Sequence, residues 1–198
     1  VVGSNAAQMA LGARAQVTVL DRSTQALARL DKEFNGAVHT VYSTQDSLEK
    51  YVLDADLVIG GVLIPGAAAP KLVTKAMVKA MKPGSVLVDV AIDQGGCFAT
   101  SKATTHEHPT YVVDEVVHYC VANMPGGVAM TSTYALNNAT LPYILKLANM
   151  GWKGALKQDI HFLAGLNVHA GSVTNEHVAK ALDYPYTPPE SVVNDAVG

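Results

Sequence analysis

Cysteine is scarce in these 198 residues: Cys97 and Cys120 are the only two. That excludes a disulfide framework, and free thiols in a reducing compartment are the expectation. Basic clusters are missing as well. Lys and Arg number 14 against 17 Asp and Glu, a formal net charge of -3, and nothing gathers the positive surface that a phosphate backbone demands. A nucleic-acid partner is therefore not expected. Apolar runs such as residues 57–64 are too short to span a bilayer, so no membrane partner is expected either. No charged-then-apolar leader opens the chain, and the expected setting is cytoplasmic. Aromatics are few, with one Trp and 6% in all, yet 49% of the residues are hydrophobic. A sizeable core is available, and it must be largely aliphatic.

What is present is an alternation. "QVTVLD" (16–21), "AVHTVYS" (37–43), "DLVIGGVLIPG" (56–66), "SVLVDVAID" (85–93) and "EVVHYCVAN" (115–123) read as strands. Between them, "TQALARLDKEF" (24–34), with Ser23 as its N-cap, "TQDSLEKYVLDA" (44–55) and "TKAMVKAM" (74–81) read as helices. Strands too apolar to expose a face, separated by helices, predict an α/β fold: a doubly wound, Rossmann-type parallel sheet. The rhythm changes after Pro125, where residues 133–151 predict one long helix containing a proline. The expected division is a dinucleotide-binding domain over 1–127 and a helical C-terminal segment over 128–198.

Gly3 opens a helix whose following strand ends on Asp21. In dinucleotide-binding βαβ units, the third glycine of G-x-G-x-x-G stands at that helix entry, and a carboxylate about 20 residues on accepts the ribose hydroxyls. Gly3 is either that third glycine, with its strand lying before residue 1, or an ordinary helix-entry turn. Polar or small residues recur where strands end: Asp21, Ser43, Gly61 to Leu63, Asp93 and Asn123. The carboxyl ends of such strands are where ligands bind, and these ends read as one crevice. Asp21 would disfavour a 2′-phosphate, selecting NAD over NADP, with Arg22 beside it acting against that preference. Asp93, followed by two glycines, is either a proton-transfer carboxylate or a loop cap; Asp89 is read as structural. His106 and His108 lack a third ligand at useful spacing, so no metal is expected. Cys97 has no evident base beside it, His118 reads as a hydrogen-bonded core residue, and Met124 is either a ring-packing contact or core filler.

The strings "VLIPGAAAPKLVT" (62–74), "MKPGSVLVDVAIDQGGCF" (81–98), "PTYVVDEVVHYCVANMPG" (109–126) and "TSTYALNNATLPYILKLA" (131–148) carry a resemblance to the bacterial L-alanine dehydrogenases. The NAD-binding subunit of proton-translocating transhydrogenase is similar in the "LIPG…APKL" segment but typically differs at "IDQGGC". The resemblance implies NAD-dependent, reversible deamination of L-alanine to pyruvate and ammonium, in a two-domain protein that is usually a homohexamer. It implies that Val1, Val2 and Gly3 line the pyrophosphate turn and that Asp21 holds the adenosine ribose. Ser43, Val62 and Leu63 would border the adenine. Val90, Ala91, Ile92 and Asp93, with Val121, Ala122, Asn123 and Met124, would surround the nicotinamide end, Asn123 also facing substrate. Lys102 stands where the family commonly has arginine, and Ala26 where some members have lysine. Asp93 matches the catalytic carboxylate. Its partner histidine, and the arginine and lysine that clamp substrate, belong to an N-terminal half not in this sequence. Residues 131–198 would return into that half, the substrate domain.

Overall fold

A computed structural model describes residues 1–62 and 69–194. These divide into two compact units, one of residues 1–62 with 69–124 and one of residues 125–194. In chain order the first holds α1 (Val2–Gly12), β1 (Thr18–Asp21), α2 (Thr24–Glu33), β2 (His39–Tyr42), α3 (Gln45–Asp54) and β3 (Leu57–Gly60). It continues with α4 (Lys75–Ala80), β4 (Val86–Asp89), a 3-10 turn at Ile92–Gln94, β5 (Thr110–Val113) and β6 (Val116–Tyr119). Side-chain caps set the helix starts. Ser23 Oγ accepts from the Ala26 N–H at 3.2 Å, as its sequence position predicted, and Thr44 and Thr74 do the same for Ser47 and Met77.

The strands run parallel between helices, as expected of an α/β fold. The sheet, however, is made of two ladders. β1 pairs with β2, and a four-stranded sheet has the order β3-β4-β6-β5. Leu57 and Ile59 on β3, at the edge of the larger sheet, remain 50% and 38% exposed. β5 is an antiparallel partner of β6, a hairpin not read in the sequence. Its two turn residues, Asp114 and Glu115, both have positive φ (49° and 61°), which is the backbone twist that a two-residue hairpin turn requires. One apolar cluster joins the layers: Val52 from α3, Met77 and Val78 from α4, Leu87 from β4, Val116 from β6, and Val73, Cys97 and Phe98 from the loops.

β4 stops at Asp89, four residues short of the sequence expectation, because the chain there turns into the 3-10 segment. Asp93 therefore stands on a turn beyond the strand.

The second unit is dominated by α5 (Ala129–Lys157), which contains Pro142 and is interrupted at Gly151, where φ is 68° and ψ 161°. The single long helix is present, with a break that only glycine enters without strain. After it come α6 (Ile160–Leu163), a minimal hairpin of β7 (Val168–His169) and β8 (Ser172–Val173), α7 (Glu176–Leu182) and α8 (Pro189–Asn194). Leu156, Leu163 and Val193 form its small core, with Trp152, Phe162 and Leu166 packed around them.

Candidate functional site

Parallel pairing brings strand ends together. Asp21 faces Tyr42 in register, and the Ser43 N–H donates to the Asp21 carbonyl at 3.0 Å, so Asp21 and Ser43 share one rim. The Asp21 carboxylate is oriented by the Ser23 N–H, which donates to Oδ1 at 2.8 Å. In the larger sheet Gly60 pairs with Asp89, and β6 runs parallel to β4 as far as Tyr119 opposite Val88, so the chains leaving β3, β4 and β6 depart from the same edge. A Cβ on Gly60 would collide with Cys97 Sγ, and one on Gly61 would lie 3.1 Å from Val2 Cγ1. The first turn of α1 is thus pressed against the chain leaving β3. That turn has no side-chain cap. Ser4 and Asn5 donate to the Val1 carbonyl at 3.0 and 2.8 Å, so they satisfy none of the leading N–H groups.

Of the remaining sequence candidates, Val1, Val2 and Gly3 are exposed at this helix entry, and Val62 and Val90 are half-buried. Leu63 lies outside the described residues. Ala91, Ile92 and Val121 are buried, whereas Asp93, Lys102, Ala122 and Asn123 are exposed and Met124 is intermediate. Asn123 takes a left-handed φ of 56°, and its carbonyl meets His106 Nε2 at 2.9 Å. His106 is therefore engaged in fixing the β6 exit.

The loop after β4 separates the roles of two aspartates. Asp89, fully buried, accepts from the N–H groups of Ala91 (3.0 Å), Cys97 (2.8 Å) and Phe98 (3.3 Å) and from the Ser101 hydroxyl. It is the loop cap. Asp93 takes no part in that network and points to an accessible surface. Cys97 Sγ lies 3.4 Å from Asp89 Oδ1; burial first, then the neighbouring carboxylate, pushes the thiol up to about 12. Such a thiol is not a nucleophile at neutral pH. Farther along, Tyr111 receives the Lys102 N–H at 2.7 Å and donates to the Thr100 carbonyl at 2.8 Å. Buried His118 bridges Thr100 Oγ1 (2.7 Å) and the Val116 carbonyl (2.9 Å), stacked on Tyr111 at 4.9 Å. Burial lowers its pKa below the usual histidine range. Tyr111 and Thr100 carried no sequence signal, because their partners lie in other segments.

The first unit also has a hollow of about 630 Å³, lined by Gln16, Thr18, Asp31, Gly36 and His39 among others. It opens at the start of β1 and β2, the end opposite Asp21 and Ser43, so it forms no part of the rim.

The family profile described as "Alanine dehydrogenase/PNT, C-terminal domain" matches residues 1–176. The chain belongs to that family. It is 62% identical over 98% of its length to the alanine dehydrogenase of Halomonas elongata, and 54% identical over 96% to that of Mycobacterium tuberculosis; each match takes in 52% of the relative. A solved L-alanine dehydrogenase superposes with a TM-score of 0.82 at 48% identity, covering 92% of this chain and 50% of that one. A transhydrogenase from Sinorhizobium meliloti gives a TM-score of 0.59 at 25% identity, over 82% of this chain and 43% of that one. The chain thus spans about half the length of the relatives it matches.

Proposed function

We propose that this chain is the cofactor-binding portion of an NAD-dependent L-alanine dehydrogenase, converting L-alanine reversibly to pyruvate and ammonium. One observation carries the reading: Asp93 is an exposed carboxylate on the turn that follows β4, directly after buried Ala91 and Ile92, at the edge where the parallel strands β3, β4 and β6 end. The residues at the rim fit a dinucleotide. The first turn of α1, with Val1, Val2 and Gly3, would take the pyrophosphate, and oriented Asp21 the adenosine ribose, which disfavours a 2′-phosphate. Ser43 and Val62, with Leu63, would border the adenine. Val90 to Asp93 and Val121 to Met124 would hold the nicotinamide end, with Lys102 near the cofactor and Asn123 toward substrate.

NAD, when bound, supplies the hydride acceptor. Asp93 would exchange protons with the substrate nitrogen and oxygen, work worth about 10²- to 10⁴-fold in rate. The partner histidine and the substrate-clamping arginine and lysine would come from the half of the relatives that this chain does not cover. The half-exposed β3 edge supports a further strand between β1 and β3. A cytoplasmic homohexamer belongs to the same reading. The weaker match to the transhydrogenase leaves the dehydrogenase the better supported of the two.

The test is NADH formation from L-alanine by the full-length gene product. Asp93→Asn is expected to lower kcat by about 10²- to 10⁴-fold; wild-type turnover in that variant would refute the assignment. Asp21→Ala should raise the KM for NAD and erode preference over NADP. The 198 residues alone should bind NADH weakly, by fluorescence, and turn over no alanine.

A further inference from the structure

Asp93 contributes nothing to the packing of its own turn, so its direction is set by whatever fixes the backbone around it. Two side chains from outside the turn do this. Asp89 gathers the N–H groups of Ala91, Cys97 and Phe98 and the Ser101 hydroxyl from within. Lys71 Nζ donates to the carbonyls of Gly95 at 2.5 Å and Gly96 at 2.7 Å from the exposed side. Gly95 and Gly96 both take left-handed φ values, 85° and 77°. A Cβ on Gly96 would fall 2.7 Å from Asp89 Oδ2 and 2.7 Å from Ser101 Cβ. The glycine pair therefore lies between the two charged groups, with no room for a side chain at Gly96. The strap carrying Lys71 is stitched to the same loop, the Ala69 N–H donating to the Gln94 carbonyl at 3.0 Å and the Leu72 N–H to the Cys97 carbonyl at 2.7 Å.

We infer that Asp89 and Lys71 are positioning residues that aim the Asp93 carboxylate, gripping its loop from opposite sides through ionic hydrogen bonds. The inference rests on the reading of Asp93 as the proton-transfer group. Hydrogen bonds to ionised partners are the strong ones. An Asn at 89 would turn an NH2 group toward donors, or leave some of them unpaired, and the loop would shift. A displacement of about 1 Å in a reacting group costs up to about a hundredfold in rate.

The experiment uses the full-length gene product carrying Asp89→Asn, Lys71→Met, Lys71→Arg or Asp93→Asn, with kcat expressed per folded molecule from circular dichroism. Asp89→Asn and Lys71→Met should each lower kcat for alanine by about ten- to a hundredfold and move the acidic limb of the kcat–pH profile. Lys71→Arg, which keeps a donor in reach, should restore most of the rate. A merely structural role would reduce the folded yield and leave kcat and the limb unchanged. Wild-type kcat and pH profile in both Asp89→Asn and Lys71→Met, with Asp93→Asn inactive, overturns the inference while leaving the role of Asp93 standing. Full activity in Asp93→Asn removes the catalytic reading and this inference with it. Should Asp89→Asn fail to fold, exposed Lys71 decides alone.

Discussion

Two apolar stretches meet opposite fates in the two units. In the first, Leu87 on β4 and Val78 on α4 are fully buried. In the second, α5 leaves Met130 75%, Leu136 66% and Ile144 54% exposed. The supply of partners separates them. β4 lies between β3 and β6, with α3 and α4 packed over it. α5 carries apolar side chains at 136, 141, 143, 144, 145 and 147, which at about 100° per residue spread over about 200° of its circumference, a band wider than an ordinary amphipathic stripe. α6 and α8 join it around Leu156, and α6 reaches back to it through Phe162 against Tyr143 and Asp159 beside Lys146. So wide an apolar band is suited to burial against more than one neighbour.

The sharpest test of that contrast pairs a buried leucine with an exposed one in the 198-residue chain. Leu87→Ala should cost about 2–5 kcal/mol, the usual range for a fully packed leucine. Leu136→Ala should fall within about 0.5 kcal/mol. Urea denaturation followed by far-ultraviolet circular dichroism measures both. The single tryptophan, Trp152, lies in the second unit against His169 at 4.6 Å, so its fluorescence reports that unit by itself. Equal costs for the two leucines would break the comparison.

Legibility in the sequence followed the distance over which each feature is determined. The Ser23 cap, the short helix within 74–81 and the proline within α5 depend on a few adjacent residues, and all three stand as read. The β5–β6 hairpin was missed because its turn uses Asp114 and Glu115 in left-handed conformations, with no glycine or asparagine to signal it. The division of labour between Asp89 and Asp93 was only half legible. Both lie in one apolar run, and the donors that make Asp89 the cap sit up to 12 residues downstream. Where β4 ends decides which carboxylate is buried, and that end is set by tertiary bonds. Lys71 gave no signal at all, since its partners are backbone carbonyls more than 20 residues away.

Acid sharpens the comparison further. His118 is neutral and buried between Thr100 and the Val116 carbonyl, and burial holds its pKa below the ordinary value of 6.5. The unfolded chain therefore binds a proton that the folded one refuses. Stability is intact above about pH 6.5 and declines as the pH falls below it. The dichroism midpoint in urea should drop between pH 7 and pH 5. His118→Asn, though less stable throughout, should show a flatter slope over that interval. An unchanged slope would mean that other groups carry the acid sensitivity of the first unit.

The second unit has a weaker dependence in a lower window. Asp159 caps α6 by accepting from the His161 and Phe162 N–H groups at 3.0 and 3.1 Å, and Lys146 Nζ lies 3.4 Å from its other oxygen. The Phe162 N–H foremost, then that of His161 and the lysine, lowers its pKa below 3.8. A depressed carboxylate contributes above its unfolded pKa and loses that contribution as the pH falls through the folded one. The Trp152-reported midpoint should therefore take no slope from Asp159 between pH 7 and pH 5, where the first unit is already weakening. Asp159→Asn keeps a capping oxygen and removes the charge. Its effect at pH 7 should be small, because solvent screens the lysine pair, and the loss seen in the parent below about pH 4 should shrink. If the variant instead flattens the slope at pH 5 to 7, the two units share one titration and do not respond to acid separately.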